Sequence, residues 1–96
     1  MIKHIILWKL KEKTDADECK SEAKLRLESL NGKIEGLINL EVVINGLDSS
    51  SADMMLNSEF ESREALEAYQ KNPLHLEAAG YVRSVVAERL CLDFEA

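Results

Sequence analysis

The two histidines of this 96-residue chain, His4 and His75, are its best candidates for proton transfer. An imidazole titrates near neutral pH, so it can take up and release a proton under physiological conditions. It can also bind zinc, but His4 and His75 have no thiolate pair and no evident third ligand, so we expect no metal. Each histidine also has a structural interpretation. His4 lies among apolar strand residues and can be hydrogen-bonded in the core, and His75 follows the helix cap Asn72 and can bind local backbone.

The two cysteines, Cys19 and Cys91, do not form a disulfide framework. Both lie within apolar patterns, which predicts buried thiols in a reducing cytoplasm. The N-terminal apolar run is too short for a signal peptide, and no run approaches the roughly 20 residues of a membrane span. We therefore expect a cytoplasmic location and no membrane partner.

Charge and length limit the class of protein. Twelve Lys and Arg against 18 Asp and Glu give a formal net charge of −6. This balance argues against binding to nucleic acid or to an anionic membrane, since both require a basic surface. Ninety-six residues provide one core, so we predict one domain over residues 1–96.

Apolar periodicity predicts four strands and three helices. A helix begins at Thr14 or Asp15, where Asp15 and Glu18 fit a capping box, and ends at Asn31-Gly32. Helices two and three are capped by Ser62 and Asn72, with Pro73 at the first helical position. The predicted strands are 2–11, 37–45, 53–61 and 89–95, and the second and third helices are 63–71 and 74–86.

The order β-α-β-β-α(α)-β is that of an α+β, ferredoxin-like fold with a four-stranded antiparallel sheet. Helices on one face leave the other face open, and several strands place apolar side chains there. Such a face is typical of an interaction surface. A twofold homodimer, sheet against sheet, would cover it and form a dimeric α/β barrel.

Three segments resemble the stress-responsive A/B barrel domain (Dabb) family: IKHIILWKLK, EFESREALEAYQKNPLHLEAAG and LCLDFEA. The most specific features are the early Lys-His, the Tyr-x-x-x-Pro-x-His run and the terminal Asp-aromatic pair. The resemblance spans nearly the whole chain and implies a dimeric α+β barrel. The family includes members of unknown activity and a plant polyketide cyclase that closes an aromatic ring without a cofactor. We expect no cofactor here.

The resemblance to the cyclase implies roles for four residues. His75 would be the general base, and Asp93 would hold the other nitrogen of its imidazole. His4 and the Tyr69 hydroxyl would donate to a substrate oxygen as charge develops on it. Tyr69 and Asp93 also have structural interpretations, as a core aromatic and as a structural carboxylate. The pocket would lie between sheet and helices, and we expect it to be lined by Ile6, Trp8, Ala23, Leu27 and Leu56.

The chain departs from the cyclase in its first helix, where Glu22, Ala23 and Arg26 stand in place of bulky aromatic residues. Trp8 can also fill space that a ligand would need, so we expect a differently shaped cavity. Three hypotheses follow. The protein holds a small, partly apolar molecule; it is a cofactor-independent, cyclase-like lyase using His75; or it is a structural stress protein without a ligand.

Overall fold

The computed structural model describes residues 1–96 and contains the predicted seven elements in the predicted order. None of the three helices is long and apolar enough to cross a membrane. The elements are β1 (Ile2–Leu10), α1 (Ala16–Glu28), β2 (Leu37–Val43), β3 (Met54–Phe60), α2 (Arg63–Lys71), α3 (Pro73–Val85) and β4 (Val86–Glu95).

The four strands form one antiparallel sheet in the order β2-β3-β1-β4. Consecutive strands β2 and β3 pair directly, as predicted for a hairpin. Strand β1 lies between β3 and β4, so His4 faces Ser58 on one side and Asp93 on the other. The predicted ferredoxin-like arrangement is confirmed.

The predicted helix caps are confirmed. The Asp15 side chain accepts a hydrogen bond from the Glu18 amide, and Ser62 accepts one from the Ala65 amide. Asn72 ends α2 and also caps α3, where Pro73 occupies the first turn. Because one residue separates the two helices, α3 starts beside the end of α2.

Two boundaries differ from the prediction by three residues, and the others by two residues or fewer. Helix α1 ends at Glu28, before Asn31. The side chain of Asn31 is bonded to β2: its amide nitrogen donates to the Leu40 carbonyl, and its amide oxygen accepts from the Leu40 N–H. Strand β4 begins at Val86 rather than Arg89, because the backbone passes directly from α3 into extended geometry. Within α3, Leu76 is exposed, whereas Ala78 and Val82 are buried.

The core lies between the helices and one face of β1, β2 and β3. Its largest fully buried side chains are Tyr69 and Phe60, whose ring centroids are 4.8 Å apart. The even positions of β1 point into this core, including Ile6 and Trp8. Close packing of these side chains fixes which face of β1 lies against the helices.

The opposite face of the sheet, here called the open face, is not covered by any helix. Leu7, Leu90 and Leu92 are exposed on it, the last two by 72% and 65%. Cys91 is exposed as well, although its side chain points to the helix side. The prediction of two buried thiols is therefore right for Cys19 and wrong for Cys91, because the edge strand β4 extends beyond the helices.

Gly36 connects the turn after α1 to β2 in a conformation that needs glycine. Its φ is +84°, and a Cβ there would lie 2.5 Å from the Cβ of Ala65 in α2. Only glycine adopts this backbone and permits this approach without strain. Gly32 has a similar φ of +80° but open space around it.

Candidate functional site

His4 is held in the core by both of its neighbouring strands. Its Nδ1 hydrogen-bonds with the carboxylate of Asp93 on β4, and its carbonyl accepts a 2.8 Å bond from the Ser58 hydroxyl on β3. The residue is only 2% exposed. The bond to Asp93 therefore fixes the orientation of the imidazole, because a hydrogen bond to one ring nitrogen sets how the ring is held.

Tyr69 and His75 come together where α2 meets α3. Tyr69 lies in the last turn of α2 and His75 in the first turn of α3, and their ring centroids are 4.1 Å apart. The Tyr69 ring also lies edge-on to His4, at 6.4 Å. The Asn72-Pro73 junction thus stacks two aromatic rings above the buried face of β1.

Two polar atoms of this group are buried without any hydrogen-bond partner: Tyr69 Oη and His75 Nδ1. The only other such side-chain atom is Asn57 Oδ1, on the open face. Buried polar atoms are nearly always paired, and each unpaired one costs about 1–3 kcal/mol. Tyr69 and His75, whose rings are in contact, thus bury two polar atoms that the protein itself leaves unsatisfied.

Burial sets the protonation state of both groups. It lowers the pKa of His75 below its usual 6.5, and an interaction with the Gln70 backbone opposes the shift only in part. Electrostatic interactions with His4, Arg83 and Arg89 lower this pKa further. Burial raises the pKa of Tyr69. At neutral pH, His75 is thus a neutral base and Tyr69 an intact O–H donor.

The side chains of Tyr69 and His75 line a cavity of about 440 Å³ between the sheet and the helices, here called the helix-side cavity. Three predicted site residues line it: His4, Tyr69 and His75. Asp93 is not part of the lining. Four of the five predicted ligand-binding residues also line it, namely Ile6, Trp8, Leu27 and Leu56. Ala23, a fully buried residue of α1, does not.

Asp93 occupies a different position from the one its proposed role requires. The resemblance implied that it would orient His75, but the β1–β4 register places it opposite His4, to which it bonds. His75 belongs to α3, on the other side of the cavity from the Asp93 strand, and its Nδ1 is unpaired. The His75 imidazole is therefore not oriented by a carboxylate.

Sequence reasoning missed the contribution of α3 and the start of β4 to the cavity. Ala79, Val82 and Arg83 line it one and two turns after His75. Their spacing of four, seven and eight residues from His75 is the signal that was available, since such residues share one helix face. Arg89 completes the rim from β4.

A second concavity, of about 650 Å³, lies at the end of the sheet near Leu7, Lys9 and Leu90. Although it is larger, no histidine or tyrosine lines it and it holds no unpaired buried atom. Volume alone does not define a site, so the helix-side cavity is the candidate functional site.

One cluster of potential metal ligands adjoins the cavity. The donor atoms of His4, Cys91 and Asp93 lie within 4.8 Å of one another. The Cys91 thiol is 3.7 Å from His4 Nδ1 and 3.4 Å from Asp93 Oδ1. Sequence reasoning missed Cys91 because it was assigned to the core.

The antiparallel sheet with three helices on one face defines a ferredoxin-like protein, and the sequence identifies its family. The Stress responsive A/B Barrel Domain family model matches residues 2–96. The chain therefore belongs to the Dabb family. No curated protein shows a significant match to the chain.

Solved structures share this fold over the whole chain. A dimeric, ferredoxin-like protein of unknown function from Bacteroides fragilis is similar with a TM-score of 0.91 and 26% identity, covering 99% of this chain and 95% of that one. A dimeric ferredoxin-like protein from Thermobifida fusca gives 0.87 and 23%, covering 99% and 90%. An Arabidopsis thaliana protein gives 0.81 and 21%, covering 100% and 95%.

Proposed function

We propose that the protein is a homodimer that binds a small, partly apolar molecule in the helix-side cavity. The observation that carries the proposal is the pair of buried, unpaired atoms, Tyr69 Oη and His75 Nδ1, at an otherwise largely apolar cavity. A ligand oxygen accepting from Tyr69 and a donor group facing His75 would satisfy both. A volume of about 440 Å³ falls within the range of small-molecule sites.

The lining also favours a class of ligand. Ile6, Leu56 and Val82 offer apolar contact, whereas Arg83 and Arg89 stand among the exposed residues that line the same cavity. Guanidinium groups pair well with carboxylates and other oxyanions. We therefore favour a molecule with an apolar or aromatic body and an acidic or carbonyl group.

The homodimer is supported by the open face. Exposed Leu7, Leu90 and Leu92 form an apolar surface there, and the unpaired Asn57 amide oxygen lies on the same side. The similar proteins from B. fragilis and T. fusca are described as dimeric. Two free thiols, Cys19 and Cys91, support a reducing cytoplasm as the location.

Native mass spectrometry tests the dimer. We expect a mass near twice 10.8 kDa for the wild type and a monomer for Leu92→Glu, which places a charge on the open face. Leu25→Glu is the matched control, since Leu25 is a 67% exposed residue of α1, which packs on the opposite side of the sheet. A wild-type monomer would contradict the homodimer, and a dimer that survives Leu92→Glu unchanged would contradict the open face as its interface.

Thermal melting against a library of small carboxylated aromatic and aliphatic molecules tests binding. A ligand of the folded state raises the melting temperature progressively with its concentration. We expect this rise in the wild type and its loss in His75→Gln. If no compound raises the melting temperature of the wild type, a structural stress protein without a ligand becomes the favoured hypothesis.

A cofactor-independent lyase is the second candidate, favoured by the lowered pKa of His75. Neutral His75 would take a proton from the carbon beside a ligand carbonyl, while the Tyr69 hydroxyl donates to that carbonyl oxygen. The enolate carbon would then bond to a second carbonyl carbon of the same molecule, and the new alkoxide would take the proton back from His75. Loss of this hydroxyl as water, followed by enolisation of the remaining ketone groups, would give the aromatic ring. Atoms and electrons balance without an oxidant.

Turnover of a linear β-polyketone carrying a carboxylate, followed by the ultraviolet absorbance of an aromatic product, tests this candidate. Loss of a general base costs about 10²- to 10⁴-fold in rate. We expect a loss of that order in His75→Ala. Unchanged turnover in His75→Ala would show that His75 is not the base.

A further inference from the structure

We propose that His4, Cys91 and Asp93 form a site for a transition-metal ion of the zinc class. The three donor atoms are His4 Nδ1, Cys91 Sγ and one Asp93 carboxylate oxygen, all within 4.8 Å of one another. The site lies at the β1–β4 edge, and it does not depend on whether the helix-side cavity binds a ligand.

Strand register brings the three side chains together. His4 and Asp93 are directly opposed across the β1–β4 pair, and Cys91 is opposed to Ile6, two residues further along β1. Residues two apart on a strand share a face, and opposed residues of paired strands lie about 5 Å apart. Backbone pairing thus holds all three donors on the helix side of the sheet.

The spacing suits a small tetrahedral ion. Zinc bonds of about 2.0 Å to nitrogen or oxygen and about 2.3 Å to sulfur place neighbouring ligands roughly 3.3–3.5 Å apart. The sulfur lies 3.7 Å from the His4 nitrogen and 3.4 Å from the Asp93 oxygen. The remaining pair, His4 and Asp93, is joined by a hydrogen bond, so an ion would displace the shared proton. Asp93, whose side chain is 40% exposed, has room to swing outward.

The donor set selects the metal. A thiolate and an imidazole suit zinc, cobalt and copper, whereas magnesium and calcium prefer oxygen ligands only. Because Cys91 and Asp93 are exposed, solvent can supply the fourth ligand. Cys91 points away from the open-face residues Leu90 and Leu92, so a second copy seated on the open face would leave the site accessible.

Titration with Co²⁺, and with Zn²⁺ as competitor, tests the site in the intact protein. A cobalt–thiolate bond produces a charge-transfer absorption in the near ultraviolet. We expect one Co²⁺ per chain with this band in the wild type, and displacement by Zn²⁺. Cys91→Ser should abolish the band and weaken Zn²⁺ binding by at least about 10-fold, a loss typical even of residues that only support a metal ligand.

Cys19→Ala is the matched control, because it removes the other thiol, which is buried in α1. We expect Cys19→Ala to retain the band. Since Cys91 is exposed, Cys91→Ser should fold, and its melting temperature in the presence of a chelator verifies this. A wild type without the band, a band unchanged in Cys91→Ser, or a band lost only in Cys19→Ala would each overturn the site.

Discussion

The Asp93 carboxylate hydrogen-bonds to the imidazole of His4 across the β1–β4 pair, and so connects the exposed edge strand to the core. This bond provides the buried His4 Nδ1 with a hydrogen-bond partner. It also means that Asp93 is engaged with His4, whereas His75 faces the cavity with an unpaired nitrogen. The two histidines therefore have different environments: Nδ1 of His4 is bonded to a carboxylate, and Nδ1 of His75 has no partner within the protein.

Asp93→Ala should destabilise the protein because it leaves His4 Nδ1 buried without its partner. Such an unpaired buried group costs about 1–3 kcal/mol. Urea unfolding in the presence of a chelator measures the loss without any metal contribution. Asp48→Ala, at an exposed loop aspartate, is the control and should change the free energy of unfolding very little. Equal effects of the two substitutions would show that the Asp93 bond contributes no stability.

Tyr69→Phe should leave the ligand-free protein as stable as the wild type or more so. The Tyr69 hydroxyl is buried without a partner, so its removal relieves a desolvation cost. The same substitution should weaken binding of any ligand that accepts from this hydroxyl, by about 0.5–1.5 kcal/mol for a typical hydrogen bond. Melting curves with and without a library hit measure both effects. A clear loss of stability without ligand would mean that the hydroxyl has a structural partner.

Gly36→Ala should cost more stability than Gly32→Ala. Both residues have positive φ, and moving a side chain into such a conformation costs about 1–3 kcal/mol. Only Gly36 would also place its Cβ 2.5 Å from that of Ala65, so α2 would have to move away from the turn. Paired urea denaturation measures the difference. If Gly32→Ala proved equally costly, the contact between Gly36 and α2 would not be tight.

The free energy of unfolding should fall as the pH drops below about 6.5, and His75 should account for part of the fall. The unfolded chain binds a proton on His75 near its usual pKa of 6.5, whereas the folded protein binds it only at lower pH. Stability is thus retained above 6.5 and is lost between that value and the lower folded pKa. Urea denaturation at several pH values shows this. His75→Gln should flatten the curve, and an identical curve for both proteins would contradict the lowered pKa.

The sequence predicted the fold well because each element has a local signal. Ser62, Asn72 and Pro73 mark the helix starts, and a short run of β-branched and aromatic residues marks β1. The path from α3 into β4 was predicted less well, since no turn residue separates Val85 from Val86. Local patterns do not reveal a boundary that is set by packing against β1.

The candidate site was predicted in part. His4, Tyr69 and His75 were grouped through the resemblance to the cyclase, and the structure places them at one cavity together with the predicted Ile6 and Trp8. The partner of Asp93 could not be predicted, because it depends on the register of β4 against β1. The same register exposes Cys91 and brings it to His4, a relationship between residues 87 positions apart.

Fluorescence of Trp8, the only tryptophan of the chain, tests the central claim most directly, since this residue lines the helix-side cavity. Anilinonaphthalene sulfonate, an aromatic anion, is a suitable probe because it matches the apolar walls and the arginines among the lining residues. We expect saturable energy transfer from Trp8 to the probe in the wild type and in Ala68→Phe, a control on the exposed side of α2. In Ala79→Phe, the new ring would fill the cavity, so the affinity for the probe should fall at least about tenfold. A tenfold fall corresponds to a loss of about 1.4 kcal/mol of binding free energy. No transfer in the wild type, or equal affinity in folded Ala79→Phe, would contradict a binding site in this cavity.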